Sequence, residues 1–166
     1  MDLQRALVPH LVSDQRTVAG AVYGTVSAMA LIVTASHDER SAGKVFAFAA
    51  TSTVVLWAVH VYAATLASAG SGRQSEMEAM RHALRNETGV MEGAVAPLAV
   101  LLLGVFGLVE DGRAIWLSLW VGVGVLFVVP VVWLRRVDQA WWRSLLWGVA
   151  GGLIGLALTS LKVVLH

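Results

Sequence analysis

The stretch AIWLSLWVGVGVLFVVPVVWL, residues 114–134, carries no charged side chain and is bounded by Arg113 on one side and by Arg135 and Arg136 on the other. A helix needs about 20 mostly apolar residues to cross a bilayer core of about 30 Å. The run is continuous and lacks the alternating polarity of a barrel strand. It therefore predicts a membrane-spanning helix.

Four other stretches pass the same test of length and hydropathy. With residues 114–134 they give five predicted spans, at about residues 17–36, 45–68, 89–109, 114–134 and 144–165. The composition agrees, because 57% of the residues are hydrophobic and only 14% are charged, whereas a soluble domain is about 25% charged. We expect an all-α fold, a single transmembrane domain over residues 1–166 built as a bundle of five helices.

Composition and sequence motifs argue against several functional classes. The chain has no cysteine and therefore cannot be a disulfide-stapled secreted module. Its net charge of +1 provides no basic surface for nucleic acid. The sequence signatures of phosphate loops, zinc hydrolases and serine nucleophiles are missing, so we do not expect an enzyme.

The basic residues predict an orientation. Five spans place the two termini on opposite sides, and cytoplasmic connections are enriched in Arg and Lys. The N-terminal segment and the connections on its side hold Arg5, Arg16, Arg73, Arg81, Arg85, Arg135, Arg136 and Arg143, whereas the other side holds Arg40, Lys44, Arg113 and Lys162. We therefore predict a multi-pass protein of the cell (inner) membrane with a cytoplasmic N-terminus.

Small residues recur at four-residue spacing in the first and last spans, at Gly20 and Gly24, Gly148 and Gly152, and Gly151 and Gly155. This spacing lets two helices approach closely. The pairs can pack helices within one bundle or form the seam of a homodimer. We expect a homodimer and leave both uses of the glycines open.

Ionisable and phenolic groups are rare within the predicted spans. Tyr23 lies in the first span, His60 in the second and Glu92 at the start of the third. At 1.5 Å per residue, all three fall within about 12 Å of the predicted cytoplasmic face. They predict a shared polar pocket for a small ion, with His60 as a proton acceptor or metal ligand. The alternative is structural, with each group satisfied by nearby backbone, hydroxyls or water.

The connector of residues 73–92 predicts an amphipathic helix. Ser75 and Glu78 have the spacing of a capping box, and Met77, Met80, Leu84 and Met91 fall on one stripe. Glu78 and His82 lie one turn apart and can share a cation, or can simply be a solvated face. The candidate ligands for a divalent metal ion are therefore His60, Glu78, His82 and Glu92.

This layout resembles the vacuolar iron transporter-like family. The resemblance rests on the connector SEMEAMRHALRNE, on YAATLA in the second span, on VAPLAVLLLGVFGL in the third and on LLWGVAGGLIGLAL in the last. It implies five helices, a cytosolic N-terminus, a charged helical segment between spans two and three, and dimers. At the place of the family's Asp-Gly pair in span one this chain has Tyr23 and Gly24.

These observations predict a transporter or channel for a divalent metal cation or protons, embedded in the lipid bilayer. The alternative is a membrane scaffold or accessory subunit that transports nothing and packs its glycine faces against a partner.

Overall fold

The computed structural model describes residues 2–38, 41–69, 75–137 and 139–164, without the side chains of residues 2–16, 38, 69, 76 and 86. The predicted end of the last span at residue 165 lies outside these ranges. The described residues form six helices and no strand: α1 (Asp2–Asp38), α2 (Ala42–Ala69), α3 (Glu76–Asn86), α4 (Thr88–Val105), α5 (Asp111–Arg136) and α6 (Trp141–Val164).

Within these ranges, five segments are long and apolar enough to cross a membrane: Thr17–His37, Ala42–Ser68, Met77–Val105, Asp111–Arg136 and Trp141–Val164. The all-α membrane bundle is therefore confirmed. We call the end of the bundle where α2 ends and α4 begins the N-terminal face. The opposite end, where α5 begins and α6 ends, is the C-terminal face.

A close backbone contact joins α1 to α4. A Cβ atom on Gly24 would overlap the Val90 carbonyl oxygen, and one on Gly93 would overlap the Ala21 carbonyl oxygen. The hydroxyl of Thr25 donates to the Gly93 carbonyl across this contact, at 2.8 Å. Small residues thus let the two backbones touch and share a hydrogen bond.

The glycines of α6 pack in the same way against α5. A Cβ atom on Gly148 would collide with the Val131 side chain, and one on Gly151 with the Leu126 carbonyl oxygen. Since the Gly20–Gly24 pair faces α4 and the α6 glycines face α5, these motifs pack helices within one chain. A homodimer, which stays a prediction, must therefore use other surfaces.

The core lies where α1, α2, α4 and α5 meet. Its fully buried side chains are apolar and come from all four helices, and they include Met29, Ile32, Val45, Leu101, Leu119 and Leu126. Their packing holds α1 and α2 side by side, and the candidate site lies on the outer surface of this helix pair.

The third span ends earlier than predicted, at Val105 rather than residue 109. Gly107 adopts a positive φ of 69°, which stops the helix. The Leu108 N–H donates to the Leu103 carbonyl and the Gly107 N–H to the Gly104 carbonyl, both at 2.9 Å. This is the Schellman arrangement of a helix C-terminus, so the apolar residues after Val105 belong to a turn.

The predicted amphipathic connector helix is present as α3, and its capping box is confirmed. The Ser75 hydroxyl accepts from the Glu78 N–H and the Glu78 carboxylate accepts from the Ser75 N–H, each at 3.3 Å. Ala79 and Ala83 are buried, whereas Met77 remains 61% exposed. The helix therefore packs through its alanines and leaves its methionine stripe uncovered.

Candidate functional site

Two of the three polar residues predicted at membrane depth lie together. The ring centroids of Tyr23 on α1 and His60 on α2 are 4.9 Å apart, and the ring planes are tilted by 50°. Because α1 and α2 run in opposite directions, residues far apart in sequence meet near the N-terminal face. This contact agrees with the depth estimate, which places both residues within about 12 Å of that face.

The hydrogen bond of His60 to the backbone indicates which ring nitrogen carries the hydrogen. Nδ1 lies 2.9 Å from the carbonyl oxygen of Leu56 one turn earlier in α2. A carbonyl oxygen only accepts, so Nδ1 carries the hydrogen and donates it. In the neutral ring Nε2 is then the acceptor nitrogen.

A groove of about 500 Å³ runs from Tyr23 along the outer surface between α1 and α2. We call it the α1–α2 groove; it is lined by Tyr23, Ser27, Ala30, Leu31, Thr51, Ser52, Val55, Leu56 and Val59. From Tyr23 to Leu31 it extends about 12 Å along the helix axis. It therefore reaches from the shallow Tyr23–His60 pair to the middle of the membrane.

The hydroxyls in this groove differ from the other threonines of α1 and α2. Thr34, Thr53 and Thr65 each donate to the carbonyl four residues earlier in their own helix. Ser27, Thr51 and Ser52 make no such bond to any residue that the structure describes. These three hydroxyls are free to bond to water or a ligand in the groove.

The structure shows no contact of Glu92, the third member of the predicted pocket, with this pair. Glu92 is exposed, and the neighbouring Gly93 makes the contact with α1. Glu92 has no polar contact with Tyr23 or His60 in the described structure, because its side chain leaves α4 on a different face from Gly93.

The two connector candidates, Glu78 and His82, are both exposed on α3. The Glu78 carboxylate is engaged in the capping box with Ser75. The structure therefore gives Glu78 a role in starting α3.

The four predicted metal ligands do not gather into one site. Within the described ranges, no group of three or more His, Cys, Asp or Glu side chains is placed to hold a metal ion. His60 instead has a phenol and a backbone carbonyl as its neighbours.

Thr51 and Ser52 were missed as candidates by the sequence reasoning. The signal was TST at residues 51–53, the longest run of polar residues in the second span. The helix is apolar all round, so sequence alone does not tell which of the three hydroxyls faces a groove. The structure shows that Thr53 is buried whereas Thr51 is exposed.

No family model, no curated protein and no solved structure matches this chain. The resemblance to the vacuolar iron transporter-like family therefore stays a prediction.

Proposed function

We propose that this membrane protein conducts protons along the α1–α2 groove, with His60 as the group that takes up and releases the proton. The observation that carries the proposal is the contact of His60 with Tyr23 at the end of a groove holding three free hydroxyls. Imidazole changes its charge near neutral pH, and hydroxyls with water relay protons by exchanging hydrogen bonds.

The donors in the groove favour protons over a divalent metal as cargo. They are the Tyr23 phenol and three aliphatic hydroxyls, with the His60 imidazole beside the phenol, and none is a carboxylate. Divalent first-row metals are bound by sets of imidazole, carboxylate or thiolate groups. The hydroxyls of Ser27, Thr51 and Ser52 can instead form hydrogen bonds to a chain of water molecules in the groove.

The groove lies on the outside of one bundle, where lipid would otherwise cover it. Polar groups at membrane depth normally face a bundle interior or a water-filled cavity. We therefore propose that a second copy of the chain covers the α1–α2 groove and completes the proton path, in keeping with the predicted homodimer.

Proton flux into liposomes tests this function directly. The purified protein is reconstituted with a trapped pH-sensitive dye, and a potassium gradient with valinomycin drives the protons. We expect His60→Gln to lower flux about tenfold or more, because Gln keeps polarity but cannot carry a proton. His37→Gln, on an exposed histidine at the C-terminal face, should leave flux unchanged. Equal flux in wild type and His60→Gln would refute the proposed path.

Parallel flux measurements with Fe²⁺, Mn²⁺ and Zn²⁺ separate the two cargoes that the sequence suggested. We expect no flux of these metals above that of empty liposomes. A metal flux that is lost in His60→Gln would overturn the choice of protons.

Cysteine cross-linking tests whether a second copy of the chain covers the α1–α2 groove. The chain has no native cysteine, so each engineered cysteine is the only one present. Val55 and Val59 of the groove wall are 57% and 55% exposed, and Val95 on α4 is 60% exposed. We expect disulfide-linked dimers in membranes from Val55→Cys or Val59→Cys, and none from Val95→Cys. Monomers in all three variants would contradict a groove closed by a second copy.

The scaffold alternative draws on the same groove, since its outward opening would also accept a helix of another protein. In that case a stoichiometric partner would co-purify, the groove cysteines would cross-link to it, and no ion flux would be measured.

A further inference from the structure

A second cavity, of about 530 Å³, lies at the C-terminal face, where the end of α1 meets the start of α5 and the end of α6. We call it the C-face cavity; it is lined by Ser36, Glu110, Asp111, Gly112, Ile115, Trp116, Lys162 and Val163. It lies at the other end of the bundle from the Tyr23–His60 pair. What it binds is therefore independent of the proposed proton path.

The C-face cavity is lined by a lysine whose side chain is largely covered by the protein. Lys162 is only 6% exposed, and its Nζ lies 5.2 Å from the centroid of the Trp116 ring. It makes no hydrogen bond or ion pair with any residue that the structure describes. A cation–π contact offsets part of the cost of burial, but the ammonium N–H donors still need acceptors.

The two carboxylates of the cavity do not supply these acceptors. Glu110 pairs with Arg113 at 3.3 Å, on an exposed surface. Asp111 is the first residue of α5, where the helix dipole favours a negative charge. Neither forms an ion pair with Lys162, so no described residue supplies an acceptor to its ammonium group.

Backbone donors face the same cavity. The N-cap residue of α5, Glu110, makes no side-chain hydrogen bond to the first turn. A Cβ atom on Gly112 would meet nothing within 4 Å, so a ligand can approach the backbone there. The N–H groups in the first turn of a helix have no carbonyl partner within the helix and bind anions, and here the first turn of α5 lines one cavity with Lys162.

The place of the cavity indicates the anion. The end of a membrane span lies at the level of the lipid headgroups, where tryptophan is enriched. Ile115, Trp116 and Val163 give the cavity an apolar wall beside Lys162. We propose that the C-face cavity binds a phospholipid by its headgroup phosphate, which accepts from Lys162 and from the first N–H groups of α5.

The test measures lipid binding to the full-length protein in a neutral detergent by native mass spectrometry. The probes are phosphatidylglycerol, a diacylglycerol without phosphate, and inorganic phosphate. Lys162→Met removes the charge and keeps a long apolar side chain, and Lys162→Arg keeps the charge. The matched control is Lys44→Met, which removes an exposed lysine near the same face.

We expect one tightly held phosphatidylglycerol per chain in wild type, Lys44→Met and Lys162→Arg, and about fivefold or more weaker binding in Lys162→Met. Diacylglycerol should associate with the protein no more than it does with detergent micelles that contain no protein. The site would be refuted if Lys162→Met held phosphatidylglycerol as tightly as wild type does. It would also be refuted if wild type held diacylglycerol as tightly as phosphatidylglycerol. Displacement of the lipid by millimolar inorganic phosphate would show that the cavity binds free phosphate rather than a phospholipid headgroup. The wild-type comparison of lipids decides the question even if Lys162→Met fails to fold.

Discussion

At the residue scale, the α1–α4 contact depends on the absence of a side chain at Gly24. Gly24→Ala would place its methyl group on the Val90 carbonyl, and backbone atoms do not yield as a flexible side chain does. We expect a loss of about 1–3 kcal/mol in the free energy of unfolding, typical of overpacking. Thermal unfolding in detergent measures it.

The matched control is Gly124→Ala, at a glycine inside α5 with nothing within 4 Å of the added methyl group. Alanine favours a helix over glycine by about 1 kcal/mol, so this variant should be as stable as wild type or more stable. Similar losses in both variants would mean that the close approach at Gly24 does not matter.

A second prediction at this scale concerns the hydrogen bond between α1 and α4. Thr25→Val keeps the shape of the side chain and removes the donor to the Gly93 carbonyl. Interhelical hydrogen bonds in membranes contribute about 0.6 kcal/mol on average and about 1.7 at most. We expect a loss in that range, measured by reversible unfolding in mixed micelles.

Thr34→Val serves as its control, because the Thr34 hydroxyl is exposed and bonds only to the Ala30 carbonyl of its own helix. This variant should leave stability unchanged within error. A Thr25→Val protein as stable as Thr34→Val would show that the bond to α4 adds nothing.

At the element scale, α3 is a short helix whose start depends on one side chain. Eleven residues are too few for a stable isolated helix, and Ser75 caps its first turn. We expect Ser75→Ala to destabilise α3 by about 1 kcal/mol. Hydrogen exchange should then be about fivefold faster at the α3 amides and unchanged in α5. Unchanged exchange in α3 would mean that packing of Ala79 and Ala83 alone holds the helix.

The helices could be predicted from sequence because long apolar runs mark the spans directly, and Ser75 with Glu78 marks the start of α3. The end of α4 could not be predicted from sequence, because the residues after Val105 are as apolar as those before it. It is the positive φ of Gly107 that turns the chain. Hydropathy measures transfer to lipid and carries no information about this backbone angle.

The site was predictable only in part, for a related reason. The depth of Tyr23 and His60 follows from their positions along the spans, and the structure brings these two together. Whether Glu92 joins them depends on its direction around α4. A helix that is apolar on every side has no polar stripe from which that direction can be read.

At the scale of the whole molecule, the two candidate sites lie at the periphery of the bundle. Apolar side chains fill the core where α1, α2, α4 and α5 meet, whereas Tyr23, the groove hydroxyls and Lys162 line open cavities. These surfaces border on lipid, water or another chain. The function of the protein therefore depends on what covers them.

The orientation of the whole chain decides which solution each cavity meets, and the basic residues predict it. Arg135, Arg136 and Arg143 lie beside the connection between α5 and α6, at the N-terminal face. Positive residues are retained in the cytoplasm. A reporter enzyme active only outside the cytoplasm should therefore be active when fused after residue 164 and inactive when fused after Gln139. The reverse result would place the Tyr23–His60 pair near the outer face and the C-face cavity in the inner leaflet, so that His60 would take up its proton from outside.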